Sequence, residues 1–494
     1  MRKTAWIVAA LVLFYLVRLV AIAWLQLAPD ESYYWQWSKH LDWSYFDHPP
    51  MVAYIMALFT GLGGDHEFFV RIGGLLASLL TLMVLYRTCR RLCPSDPVLP
   101  WEVAFIANVT LLFSAGCLIQ TPDTPLLLFW ALAVHCGVAL ITDPSPRWWY
   151  LWGISLGLGL LSKYTMILII PCQFAFLLFS RNDRHWLFKK EPYLALLIGA
   201  AIFSPVIFWN GQHDWISFAY QLGHGFNATD RQAFGKLLEY LGGQAGIITP
   251  LLFLVFLYYS VTAYGLYRRR QAAEYLYLLL LSWPIILFFA YSSIRGGVSQ
   301  PNWPAPAYVA GLLLIGLVYR LYYQRKKAHR IFMNVAVGLA LIANVAIHIH
   351  LFRPYLPISP KIDTTQQFHG WRELGRQINQ HISENPHPAG YFLLADRHSM
   401  AASALFYTGK PYMALKFSEP ERYLFLRNTD TPKGKNAVIL VRTVDEQVLE
   451  YYRSYFQEVA VIGEHRALFR DEVIDEYSVY IVLGKDYRGI WNPW

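Results

Sequence analysis

Asp30 and Glu31 stand side by side directly after a long apolar run, at the head of the stretch Ala28–Pro50, APDESYYWQWSKHLDWSYFDHPP. Asp42 and Asp47 follow within it, Lys39 is its fixed cation, and Trp, Tyr and Phe are dense between them. Amphipathic rings settle at a membrane–water boundary, so the aromatic content has an ordinary explanation. A pair of adjacent carboxylates where the hydrocarbon ends does not, because a charge there is costly to desolvate unless it is paired, hydrated or used. Asp30 is therefore the first candidate for chemistry. Taking a proton from a hydroxyl is the work an ionised carboxylate does best.

The chain that must position this pair is a membrane protein by composition. Of its 494 residues, 55% are hydrophobic, 16% aromatic and only 15% charged, far from the balance of a soluble multidomain protein. The formal net charge of +9 does not point to nucleic acid, since the basic residues cluster at the ends of apolar runs, as cytoplasmic loops do. Apolar segments near residues 4–27, 68–88, 101–119, 125–141, 148–162, 165–180, 193–209, 246–267, 275–292, 303–323 and 331–351 give about eleven transmembrane helices. Residues 51–63 are too short to span and read as a helix lying along the interface.

Arg2 and Lys3 precede the first segment, which places the amino terminus in the cytoplasm. The inner loops then carry Arg87, Arg90 and Arg91; Arg147; Arg181, Arg184, Lys189 and Lys190; Arg268, Arg269 and Arg270; and Arg325, Lys326, Lys327 and Arg330. An odd number of spans leaves the carboxyl terminus outside. Residues 1–351 thus form a membrane domain with a working outer loop at 28–66, and residues 352–494 a periplasmic α/β domain in which helices alternate with short apolar strands. All five cysteines, at 89, 93, 117, 136 and 172, lie in or beside spans, so no exported disulfide framework is indicated.

Three further outer loops share the polarity of the first. Gln120-Thr121-Pro122-Asp123-Thr124-Pro125 holds a carboxylate in a tight turn, where Asp also serves simply as a turn former. Trp209 to Gly225 gathers His213 and His224, and Arg295 to Pro306 has one cation among glycines and prolines. Threading puts these on the face that carries Asp30. Carboxylates, imidazoles, a few cations and aromatic walls in one outer-leaflet hollow suit group transfer from a lipid phosphate. Lys163 and Arg295, at outer ends of spans, either neutralise such a phosphate or snorkel to the interface. His213 and His224 either make structural hydrogen bonds or share a divalent metal with Asp47 or His48, although an eleven-residue spacing is no metal signature.

Asp30-Glu31, the run Tyr45-Phe46-Asp47-His48-Pro49-Pro50, Thr121-Pro122-Asp123 and Trp303-Pro304-Ala305-Pro306 together resemble the bacterial branch of the protein mannosyltransferase-like family. That family includes the aminoarabinose and galacturonic acid transferases of lipid A and core lipopolysaccharide, and it has the GT-C fold of membrane glycosyltransferases. The resemblance is clearest over residues 28–225. It implies an inverting transfer of sugar from a polyprenyl phosphate to a lipid, glycan or protein acceptor at the periplasmic face of the inner membrane. Asp30 matches the family's catalytic carboxylate, with Glu31 beside it, and Asp123 its second-loop acidic partner. Tyr45, Asp47 and His48 fall in its substrate-binding run. Asp47-His48 stands where the aminoarabinose transferases have Glu-Lys, which removes a permanent cation from the lipid-phosphate site. The alternative from another class is a transporter or flippase of lipid-linked sugars, which needs ionisable residues near mid-bilayer; apart from Arg18 the span centres are almost free of them.

Overall fold

The computed structural model describes residues 2–226, 233–295, 300–427, 429 and 432–490, the side chains of 224–226 excepted. The chain divides into two compact units. Met1–Leu19, Asp47–Val52 and Gly74–His348 make the first, and Val20–Phe46, Ala53–Gly73 and Ile349–Trp494 the second.

Eight helices among the described residues are long and apolar enough to cross a membrane: Arg2–Trp24 (α1), Glu67–Leu92 (α4), Asp123–Thr142, Glu191–Gln212, Pro250–Arg270, Ala273–Arg295, Ala305–Tyr323 and Lys327–Phe352. Between α1 and α4 lie two shorter helices, Pro29–Ser38 (α2) and Met51–Gly63 (α3). The other three expected spans are helical but shorter. Residues 101–119 form Leu99–Val109 and Leu111–Ser114, parted at Thr110, whose ψ of 145° is extended. Residues 148–162 form the helix Arg147–Ser162, which stops at Lys163 with φ −158° and ψ 139°. Residues 165–180 form a 3₁₀ turn, Tyr164–Leu168, running into Ile169–Phe179.

Within the first unit the short helix Arg147–Ser162 is held by close backbone approach. A Cβ on Gly153 would stand 2.5 Å from the Ala195 carbonyl oxygen, and one on Gly157 would stand 3.0 Å from that of Gly199. Small residues spaced four apart let two helices meet where lipid supplies no hydrophobic drive between them. The helix then ends at Ser162, and Lys163 follows in an extended conformation. Mid-helix, Arg18 is fully buried, and its guanidinium donates to the Asn108 side chain at 2.6 Å and the Asn108 carbonyl at 3.2 Å. Asn344 donates to the same carbonyl at 3.1 Å. The helix break just beyond Asn108 leaves that oxygen without its ladder partner, and these donors satisfy it.

The second unit is built on a five-stranded sheet. Its strands are β1 (Tyr391–Ala395), β2 (Ala414–Leu415), β3 (Asn436–Val441), β4 (Glu458–His465) and β7 (Val479–Lys485), in the order β2-β1-β3-β7-β4. β5 (Leu468–Phe469) and β6 (Glu472–Val473) form a separate hairpin. β2, β1 and β3 are parallel, β7 is antiparallel to β3, and β4 closes the edge antiparallel to β7. β1 and β3 are buried along their whole length, as continuous apolar runs in a covered parallel sheet must be. The helix Trp371–Glu384 buries Trp371, Leu374, Gly375 and Ile378, one apolar stripe at helical spacing. The helix His398–Thr408 ends at Gly409, whose φ of +62° is a left-handed cap that glycine adopts without cost. β4 escapes expectation because it is an exposed edge strand with a bulge between Val461 and Gly463.

Candidate active site

In the second unit, the turn between α1 and α2 carries the first two sequence candidates. Pro29 opens α2, and Asp30 lies exposed in its first turn, where the helix dipole favours a negative charge. Glu31 points the other way and is fully buried. Its carboxylate accepts from the Ala28 backbone N–H at 2.9 Å, which caps the helix. It also accepts two bonds from Arg71, from Nε at 2.8 Å and Nη2 at 2.6 Å. The remaining Arg71 donors reach the carbonyls of Leu25 and Gln26, both at 2.7 Å. One guanidinium thus satisfies the orphan carbonyls at the end of α1 and the carboxylate at the start of α2.

A second set of bonds braces the same turn. Glu67 accepts from Arg372 at 2.6 Å and from the Tyr407 hydroxyl at 3.2 Å, and that hydroxyl accepts from the Leu27 N–H at 2.6 Å. Burial, with Glu67 beside it, pushes the Tyr407 pKa up, so the hydroxyl stays neutral and can donate. Asp30 contributes to a raised pKa at Tyr477, whose main cause is burial. Tyr45 is buried, stacked on Trp37 at 4.3 Å, and donates to the Trp37 and His40 carbonyls.

In the first unit, Asp123 and Lys163 meet. Asp123 opens its helix, accepts from the Lys163 ammonium at 2.8 Å on one oxygen and from the Asn302 side chain at 2.8 Å on the other. Both members of the ion pair are largely buried, with side chains 16% and 13% exposed. Asp123 and Asn302 stand on the wall of a 270 Å³ cavity whose polar lining includes Ser78, Thr81, Thr121 and Thr124 and whose apolar lining includes Leu112, Phe113 and Leu127. Asp47 is buried, and its carbonyl accepts from Gln221 at 2.6 Å; His48, beside it, is half-buried. His213 stacks on Trp209 at 4.1 Å and hydrogen-bonds its carbonyl at 2.7 Å. Arg295 is exposed at the last residue of its helix. His224 is on the helix Ile216–Phe226, its side chain outside the described residues. Among the described residues there is no cluster of three or more His, Cys, Asp or Glu side chains able to hold a metal ion.

Residues 47–209 match the family described as dolichyl-phosphate-mannose-protein mannosyltransferase. The chain is 26% identical over 384 residues to the lipid A galacturonosyltransferase RgtD of Rhizobium johnstonii, covering 77% of each chain. It is 27% identical to the undecaprenyl phosphate-alpha-4-amino-4-deoxy-L-arabinose arabinosyl transferase of Edwardsiella ictaluri, over 76% of this chain and 70% of that one. Its fold matches that of ArnT from Cupriavidus metallidurans, solved bound to undecaprenyl phosphate, with a TM-score of 0.65 at 15% identity over 97% and 98% of the two chains. The chain is a membrane glycosyltransferase with the GT-C fold, similar over residues 47–209 to the protein mannosyltransferases.

Two polar residues of this glycosyltransferase escape a reading of its sequence. Arg71 is hidden in an apolar span; the signal it gives is an ionisable residue within two turns of the span's first residue, Glu67. Asn302 gives no signal beyond lying in the turn that contains Trp303-Pro304-Ala305-Pro306. The partners of both come from distant parts of the chain.

Proposed function

We propose that the glycosyltransferase moves a sugar from a polyprenyl phosphate to an envelope acceptor of the lipid A type, at the periplasmic face of the inner membrane. The reading is carried by one observation. Asp30 is presented to solvent at a helix start while the residue next to it is locked, fully buried, against Arg71. Such a clamp holds the turn that carries the base in a fixed geometry. The relatives named for lipid A and for undecaprenyl phosphate supply the donor and acceptor classes.

In this reading the acceptor oxygen attacks the anomeric carbon from the side opposite the phosphate. The new C–O bond forms as the sugar–phosphate bond breaks, polyprenyl phosphate leaves, and the configuration inverts. With a hydroxyl acceptor, Asp30 takes the proton. With a phosphate acceptor, already anionic, Asp30 orients it. Lys163, held ready by Asp123, supplies positive charge to the departing phosphate, and Tyr45, Asp47, His48, His213, His224 and Arg295 are assigned to the walls of the donor and acceptor sites. Residues 1–351 act as the membrane domain, with the amino terminus cytoplasmic, and residues 352–494 as the periplasmic one.

The test is transfer by the purified protein from an undecaprenyl-phosphate-linked sugar to lipid A. Asp30→Asn is expected to lower kcat about 10²–10⁴-fold, the usual worth of general-base help. Unchanged turnover in that variant would remove Asp30 from the mechanism. Lipid translocation in liposomes without sugar transfer would favour a flippase instead. Arg18 does not support that alternative, since it is engaged by Asn108.

A further inference from the structure

The second unit encloses a cavity of about 740 Å³ that the transfer step does not use. The end of α2 supplies Trp35, Lys39 and His40 to its wall, the turn after Gly409 supplies Lys410 and Tyr412, and Lys435 comes from just before β3. Asp65 pairs with Lys39 and accepts from the Trp35 indole at 2.7 Å. That bond and the edge-on packing of Phe406, at 5.0 Å, hold the indole in place. Lys410 and Lys435 have no carboxylate partner among the described residues. Burial lowers the His40 pKa, so its ring is neutral at pH 7 and the wall carries a net positive charge from lysines alone.

Gln36 adds a second kind of demand. It lines the cavity, is only 2% exposed, and donates its amide to the Ala414 carbonyl at 2.9 Å. Its own carbonyl oxygen is buried without a hydrogen-bond partner among the described residues, a deficit that a ligand hydroxyl would repair. Unpaired lysines call for an anion and a buried acceptor calls for a hydroxyl, while the Trp35 indole, 7% exposed and covered by the Lys39 ammonium at 5.4 Å, stiffens the wall between them. A free phosphate would leave most of the space unfilled, and the ethanolamine and glycerol head groups of phospholipids are smaller than a saccharide and carry few hydroxyls or none.

We propose that this cavity recognises a phosphate-bearing saccharide, the head group of the acceptor lipid, away from the reacting centre. The proposal rests on the acceptor class given above. Successive residues of a helix turn by about 100°, so Trp35, Gln36 and Lys39 lie on the side of α2 opposite Asp30. The site therefore contributes to binding and leaves the chemical step untouched, which separates it from the catalytic turn.

The variant Lys410→Ala/Lys435→Ala is compared with wild type, using diphosphorylated lipid A and its monophosphoryl form as acceptors. For the diphosphorylated acceptor, KM is expected to rise about tenfold with kcat unchanged, as loss of charge-assisted hydrogen bonds implies. The monophosphoryl acceptor should show a smaller increase, and Lys410→Arg/Lys435→Arg should restore KM. An equal change for both acceptors, a fall in kcat alone, or no change would overturn the assignment. Native mass spectrometry of the full chain provides a reading independent of turnover, with lipid A, phosphatidylglycerol and inorganic phosphate as separate probes. Retention of lipid A that the double variant loses supports the site even if no sugar is transferred, so failure of the enzymatic reading is distinguishable. Equal retention of phosphatidylglycerol or phosphate would refute saccharide recognition.

Discussion

Two adjacent carboxylates in this chain have opposite fates, and mutation should separate them. Glu31 is buried against Arg71, and breaking such a pair strands a charge away from water at a cost of about 3–5 kcal/mol. Glu31→Gln should therefore lower the thermal stability of the purified protein and its yield in the membrane. Arg71→Lys should also fail to restore wild-type behaviour, because an ammonium cannot reproduce the forked reach to Glu31, Leu25 and Gln26. Asp30→Asn, at an exposed helix start, should cost no more than about 1 kcal/mol of stability while turnover collapses. If both acidic substitutions reduced activity and stability in parallel, the division of labour between them would be refuted. The pairing of Asp and Glu was visible in the chain, whereas their different burial was not, since it depends on an arginine that sequence patterning reads as part of a span.

At the scale of elements, the Lys163–Asp123 pair joins the end of one helix to the start of another. Asp123→Asn and Lys163→Met, combined in a double-mutant cycle on transfer rate, should show non-additivity of roughly 0.5–3 kcal/mol. Additive effects would mean that the two act separately. In the second unit, Glu419 fastens three elements together: a hydrogen bond from His398 is the largest influence holding its pKa down, burial opposes, and Lys416 and Arg422 add to the lowering. Because the folded-state pKa is depressed, the stability it gives is complete above the ordinary value of 4.5 and is lost as pH falls below it. Thermal unfolding followed from pH 7 to pH 3.5 should show this loss, and Glu419→Gln should flatten it. Most helices could be placed from hydropathy, but their ends could not. The break at Lys163 falls between two of the expected spans, whereas Thr110 breaks an apolar run that looks continuous by composition, because hydropathy records transfer preference and is blind to a single extended residue. β4 carries little signal for the converse reason, its exposed edge lacking the buried pattern that marks β1 and β3.

At the scale of the whole molecule, the threading inferred from Lys and Arg clusters makes a direct prediction. All five cysteines are buried, so a single cysteine introduced at an exposed position reports on its side of the membrane with little background. Glu384→Cys, in the carboxyl-terminal domain, should react with a membrane-impermeant maleimide in cells whose outer membrane has been permeabilised. Arg268→Cys, at the end of Pro250–Arg270, should react only after lysis. The reverse pattern would invert the topology and place Asp30 in the cytoplasm.

The separation of Glu31 and Arg71 by forty positions also bears on how the protein is made. A nascent chain leaves the ribosome at about 5–20 residues per second, so Glu31 emerges some seconds before the guanidinium that neutralises it. The first segment must therefore wait in the translocon or the lipid with its acid still hydrated. Only arrival of the next long helix lets the turn desolvate and close, which ties maturation of the turn that carries Asp30 to the order of insertion.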